Sequence, residues 1–81
     1  WPGTFCKLPR HGDATLKVLR VREEAGEDRP GTVIGAGEEG PLVAAGEGAL
    51  RLLRVQPEGG RPMGGGAYLR GHPLAVGDTL A

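Results

Sequence analysis

Arginine and lysine side chains at strand-like spacing are the groups of this 81-residue chain best suited to chemistry, and that chemistry is phosphate binding. Arginine offers phosphate a planar, bidentate set of donors, whereas lysine offers a point charge. Of the ten basic residues eight are arginine, and the three aromatic residues are too few for recognition by base stacking. The candidate phosphate contacts are Lys7, Arg10, Lys17, Arg20, Arg22, Arg51, Arg54 and Arg61.

The net charge is zero at pH 7, but the charges are unevenly distributed. Residues 1–22 carry a net charge of +4, residues 23–47 carry −6 and residues 48–72 carry +3. If the first and third segments lie side by side in a barrel, this neutral protein presents a basic face suited to nucleic acid. The alternative is that the arginines form ion pairs with the acids Glu23, Glu24 and Glu27.

Catalytic and metal-binding groups are scarce. The two histidines, His11 and His72, stand beside glycine or proline in predicted loops, and the chain has no serine or asparagine. The single Cys6 has no cysteine partner for a disulfide and is expected to pack in the core. The acidic run at 23–28 lacks EF-hand spacing, and the glycine-rich 59–66 lacks the Lys-Ser/Thr pair of a Walker loop. We therefore expect no catalytic residue, metal or cofactor in this chain.

Short apolar runs separated by glycine and proline predict a mainly β fold: a small OB-like β-barrel of about five or six strands with one short helix. The predicted strands are an edge strand ending at Pro9, then 14–22, a hairpin of 32–37 with 41–46, 49–56, and a last strand within 73–81. Alternation in the second strand predicts a common face for Leu16, Val18, Arg20 and Arg22.

Residues 62–71 are the predicted short helix, with Pro62 at its first position and Gly71 as its C-terminal cap. Three consecutive glycines, Gly64 to Gly66, weaken this prediction, because each costs about 1 kcal/mol relative to alanine inside a helix. A helix here would depend on tertiary packing, and a loop is the alternative.

Five segments, in this order and spacing, resemble the C-terminal domain of the methionyl-tRNA formyltransferase family. They are WPGTF at 1–5, LKVLR at 16–20, PGTV at 30–33, GALRLLRVQPEG at 48–59 and RPM at 61–63. The resemblance covers nearly the whole chain and implies an OB-like barrel that holds tRNA through basic residues. It also implies that the Asn/His/Asp active centre, which uses formyltetrahydrofolate, belongs to an N-terminal domain that is absent from residues 1–81.

We therefore expect a single, non-catalytic domain that orients initiator methionyl-tRNA for formyl transfer during translation initiation, with initiator tRNA and the catalytic domain as partners. The alternative is a packing module of a formyltransferase, including one acting on nucleotide sugars, with no nucleic-acid contact. An independent enzyme is disfavoured for lack of catalytic groups. A cytoplasmic location is expected, because the single cysteine fits a reducing compartment and the sequence shows no secretory signal and no apolar run long enough for a membrane span. The chain is also expected to be a monomer.

Overall fold

A computed structural model of the chain describes residues 5–8, 12 and 14–80. Within these residues six strands form one antiparallel sheet that curls into a half-barrel, and a short helix packs against it. The elements are β1 (Phe5–Leu8), β2 (Ala14–Glu24), β3 (Val33–Gly37), β4 (Gly40–Ala44), β5 (Ala49–Pro57), β6 (Met63–Gly64) and α1 (Gly65–Gly71). The strand order is β1-β2-β5-β4-β3, and β6 pairs with β5. The predicted fold class, the edge position of β1 and the β3–β4 hairpin are confirmed.

The core lies on the concave side of the sheet, between β2, β5 and α1. Leu16 and Val18 of β2 and Leu52 and Val55 of β5 are fully buried, and Tyr68 of α1 is 1% exposed. Each of these side chains contributes roughly 1.5–3 kcal/mol of burial free energy. Packing on this side fixes which side chains of β2 and β5 point away from the core.

The ladder between β2 and β5 is irregular on both sides of the pair formed by Arg20 and Arg54. The shifts change which residues of β2 face the core: Val18 is fully buried, and the next residue that packs against the core is Val21. Strict alternation would have turned Arg20 inward, but Arg20 is exposed. The predicted common face of Leu16, Val18, Arg20 and Arg22 is therefore wrong, because the irregularity reverses the phase of the strand.

Helix α1 begins at Gly65, later than predicted, because Met63 and Gly64 form β6 instead. Pro62 precedes β6, so its predicted place at the first helical position is wrong, and the C-terminal cap is His72. A side-chain carbon on Gly65 or Gly66 would collide with the backbone of Leu52 or of Glu38. The glycines thus let α1 lie directly on the sheet and hairpin, which is the tertiary packing such a helix requires.

Residues 73–80 do not form the predicted last strand. They make one isolated bridge, Thr32 to Thr79, and a turn in which the Asp78 side chain accepts a hydrogen bond from the Ala75 backbone N–H at 2.9 Å. The backbone N–H of Val33 donates to the carbonyl of Asp78 at 2.7 Å. This segment is bound to the residues at the start of β3 by a few backbone hydrogen bonds and places Leu74 and Leu80 in the core. In the part of the chain described here, no helix is long and apolar enough to cross a membrane.

Candidate nucleic-acid interface

The side of β1, β2 and β5 that points away from the core, hereafter the outer face, carries basic side chains from all three strands. Cys6 and Leu16 are opposite each other and buried, so their neighbours project outward. Lys7 pairs with Thr15, and Lys17 pairs with Gln56 of β5. Register thus brings Lys7 and Lys17 to the same face of the sheet.

Arg20 and Arg54 continue this face towards the middle of the sheet. Their Cα atoms are direct partners across β2 and β5, and both side chains are exposed. On the other side of Arg54 the register partner is Gly64, which has no side chain. Among the described residues, no carboxylate lies within ion-pair distance of either arginine. The pair is therefore a local concentration of uncompensated positive charge.

Arg22 and Arg51 form the next cross-strand arginine pair, and they are compensated. Arg51 binds both carboxylate oxygens of Glu24, with Nε–Oε2 and Nη2–Oε1 distances of 3.0 Å, and its Nη1 donates to the Gly40 carbonyl at 3.0 Å. Arg22 binds both oxygens of Glu39 at 2.8 Å and also reaches Glu24 at 2.7 Å. This ion-pair network ties β2 and β5 to the tip of the β3–β4 hairpin.

The network also shifts the pKa values of its members. Hydrogen bonds from Arg51 and then Arg22 lower the pKa of Glu24 to about 2. The hydrogen bond from Arg22 lowers the pKa of Glu39, and the bond to Glu39, followed by that to Glu24, raises the pKa of Arg22. All three groups are therefore charged at neutral pH, and the two carboxylates cancel most of the positive charge at this end of the outer face.

The structure brings most of the predicted phosphate contacts together. Within the described ranges, three of the predicted phosphate contacts lie on the outer face and have no carboxylate partner: Lys7, Arg20 and Arg54. Lys17 lies beside them on the same face. Arg22 and Arg51 share the face but belong to the ion-pair network. Arg61 is exposed in the turn between β5 and β6, off the strands. Arg10 lies outside the described residues.

Cys6 and His72, which could have supplied other chemistry, make packing contacts instead, and His11 lies outside the described residues. Burial raises the pKa of Cys6 to about 11, so its thiol is protonated at neutral pH, and the predicted packing role is confirmed. His72, an exposed residue, stacks on Tyr68 with ring centroids 4.6 Å apart and an interplanar angle of 7°. In the described ranges no three His, Cys, Asp or Glu side chains are grouped to hold a metal ion.

Sequence reasoning missed Glu39 as a partner of the arginines. It proposed Glu23, Glu24 and Glu27, of which the structure brings only Glu24 to an arginine within the described residues. Glu39 lies 17 positions from Arg22 and reaches it because the hairpin folds over the end of β2. The acidic character of the hairpin tip was the only signal in the sequence, and it does not specify a partner.

The sequence of this chain matches a known protein family. The model of the formyl transferase C-terminal domain matches residues 1–73. A methionyl-tRNA formyltransferase of Myxococcus xanthus is 48% identical over 77 residues, which cover 95% of this chain and 24% of the relative. Those of Thermus thermophilus and of Methylobacterium sp. are 42% and 47% identical, over 99% and 100% of this chain and 25% and 26% of theirs. The chain spans about a quarter of the length of these relatives.

Proposed function

Because this chain belongs to the family of formyl transferase C-terminal domains, we propose that it is a non-catalytic tRNA-binding domain of a methionyl-tRNA formyltransferase. It orients initiator methionyl-tRNA for a separate catalytic domain, which uses formyltetrahydrofolate as the formyl donor, in the cytoplasm. The observation that carries the proposal is the cluster of Lys7, Lys17, Arg20 and Arg54 on one face of the sheet. The names of the relatives supply the substrate.

Phosphate contact is the mode of binding that this face suits. Its cations come from neighbouring strands, so they form a surface that can follow a nucleic-acid backbone. Tyr68 is buried in the core and is not available for base stacking. Binding therefore depends on charge and on the shape of folded RNA more than on base sequence.

A titration of labelled initiator tRNA with the 81-residue chain tests this proposal. Affinity is expected to fall steeply with added salt, because each phosphate contact releases condensed counterions. The double variant K7Q/K17Q should bind more weakly than the wild-type chain at every salt concentration. The matched control is R29Q/R70Q, which removes two exposed arginines, one from the acidic connection between β2 and β3 and one from helix α1, and should bind nearly like the wild type. Equal losses in the two variants, or salt-independent binding, would refute the proposal.

A second function, packing against the catalytic domain without RNA contact, is favoured by the ion-pair network. Arg22 and Arg51 hold the hairpin to the sheet and are engaged by Glu24 and Glu39. Arginines that are engaged in holding the domain together, and not free for RNA, are what a purely structural module requires. Under this alternative the chain would bind a catalytic formyltransferase domain but would not bind tRNA at low salt, which the same titration detects.

A further inference from the structure

Two cross-strand arginine pairs stand next to each other on β2 and β5, and only one is compensated. In the first, Arg22 opposite Arg51, two glutamates neutralise both guanidinium groups. In the second, Arg20 opposite Arg54, no carboxylate is within ion-pair distance among the described residues. The same two strands therefore carry one arginine pair with a structural role and one uncompensated pair, so the two pairs can be compared within one protein.

The uncompensated pair is unfavourable for folding. Side chains directly opposite on antiparallel strands have Cβ atoms about 4.5–5.5 Å apart, and like charges in that position are destabilising. The register irregularities on both sides of the pair keep these two residues opposite each other and leave Leu19 and Leu53 without partners in the ladder.

We propose that Arg20 and Arg54 form a clamp for a single phosphate group, and that an RNA phosphodiester is its ligand. Each guanidinium offers a fork of donors, and two forks carried at partner positions of adjacent strands can match the two non-bridging oxygens of a phosphodiester. The open Gly64 side of Arg54 gives the ligand access. The choice of RNA as ligand rests on the proposed function, whereas the phosphate site itself rests only on the arginine pair.

Thermal unfolding of the 81-residue chain tests the clamp first. In low-salt buffer without phosphate, R20Q and R54Q should each raise Tm by a few degrees, because each removes like-charge repulsion. In the matched comparison R51Q should lower Tm, since it breaks the bonds to Glu24 and Gly40. A drop in Tm for R20Q and R54Q would show that these arginines stabilise the fold and would overturn the proposal.

Pyrophosphate is the probe for binding, compared with sodium chloride at equal ionic strength. It should raise the Tm of the wild-type chain and of R29Q, which changes an exposed arginine away from the outer face, and it should leave R20Q and R54Q almost unshifted. For initiator tRNA, either single substitution should weaken binding by about 10-fold, and R20Q/R54Q should be little worse than one substitution, because the two forks act as one unit. Equal pyrophosphate shifts in the wild type and R20Q would refute the clamp.

The two proposals fail separately. If tRNA binds with salt sensitivity but R20Q and R54Q bind it like the wild type, the clamp is wrong and the proposed function stands. If tRNA does not bind and the pyrophosphate shift still requires Arg20 and Arg54, the phosphate site stands and RNA is not its ligand.

Discussion

Replacement of Gly66 by alanine should move helix α1 away from the β3–β4 hairpin. An alanine Cβ at this position would lie 2.7 Å from the carbonyl carbon of Glu38 and closer still to its oxygen. Ordinary contact begins near 3.4 Å, so helix and turn must separate by at least 0.7 Å, the difference between these two distances, and further to clear the oxygen. Backbone atoms on both sides leave no flexible side chain to yield.

The expected loss of folding stability in G66A is the difference between two opposing effects. Overpacking of a close contact costs typically about 1–3 kcal/mol, and we take the upper end because the obstacle is backbone. Alanine recovers about 1 kcal/mol relative to glycine within a helix. The net prediction is a loss of about 2 kcal/mol in the free energy of unfolding. For a domain of this size that is a fall in Tm of about 10 °C.

The assay is urea or thermal unfolding of G66A, with G71A measured under the same conditions as the control. Gly71 is the last residue of α1 and does not have a positive φ, and a Cβ added there would have no heavy atom within 4 Å. G71A should therefore be neutral or up to about 1 kcal/mol more stable than the wild type. Stabilisation of both variants by similar amounts would refute the close-packing explanation of the glycines.

Three further predictions concern the ion-pair network and the core. E39Q should strengthen tRNA binding about two- to fivefold at low salt, because it releases Arg22; an unchanged or weaker affinity in the titration would contradict this. The folded-state pKa of Glu24 is depressed from its ordinary 4.5 to about 2, so the stability it contributes is present above pH 4.5 and is lost as pH falls towards 2. Between pH 4.5 and about 2, the free energy of unfolding of E24Q should therefore fall less steeply with pH than that of the wild type, which acid unfolding of the two chains measures. Cys6 is 1% exposed, so a thiol reagent should label it only as the chain unfolds, and rapid labelling of the native chain would disagree.

The sequence predicted the strands well because apolar runs and turn residues mark them directly. The β3–β4 hairpin and the end of β5 at Pro57 follow from such local signals. The ladder irregularity at Arg20 and Arg54 could not be predicted, since it depends on how two distant strands fit a curled sheet. That irregularity decides which arginines face outward together, so the detailed geometry of the candidate site also lay beyond the sequence.

The short helix was predicted correctly, but its start was placed at Pro62 instead of Gly65. Gly64 to Gly66 argue against a helix by intrinsic propensity, yet Gly65 and Gly66 begin one, because absent side chains permit close packing on Leu52 and Glu38. Residues 73–80 show the reverse case: an apolar run suggests a strand, but its turn at Asp78 and its single bridge leave it irregular. In both segments tertiary contacts outweigh local preference.

Amide chemical shifts of the 81-residue chain during titration with initiator tRNA test the central claim most directly, because they report where RNA binds. We predict that the largest shifts fall on the outer-face segments 5–8, 14–20 and 53–57, and that added salt reverses them. Shifts in the acidic connection at 25–31 should be small. Shifts concentrated in that connection or on helix α1, or no shifts at low salt, would contradict the claim that the basic outer face binds tRNA.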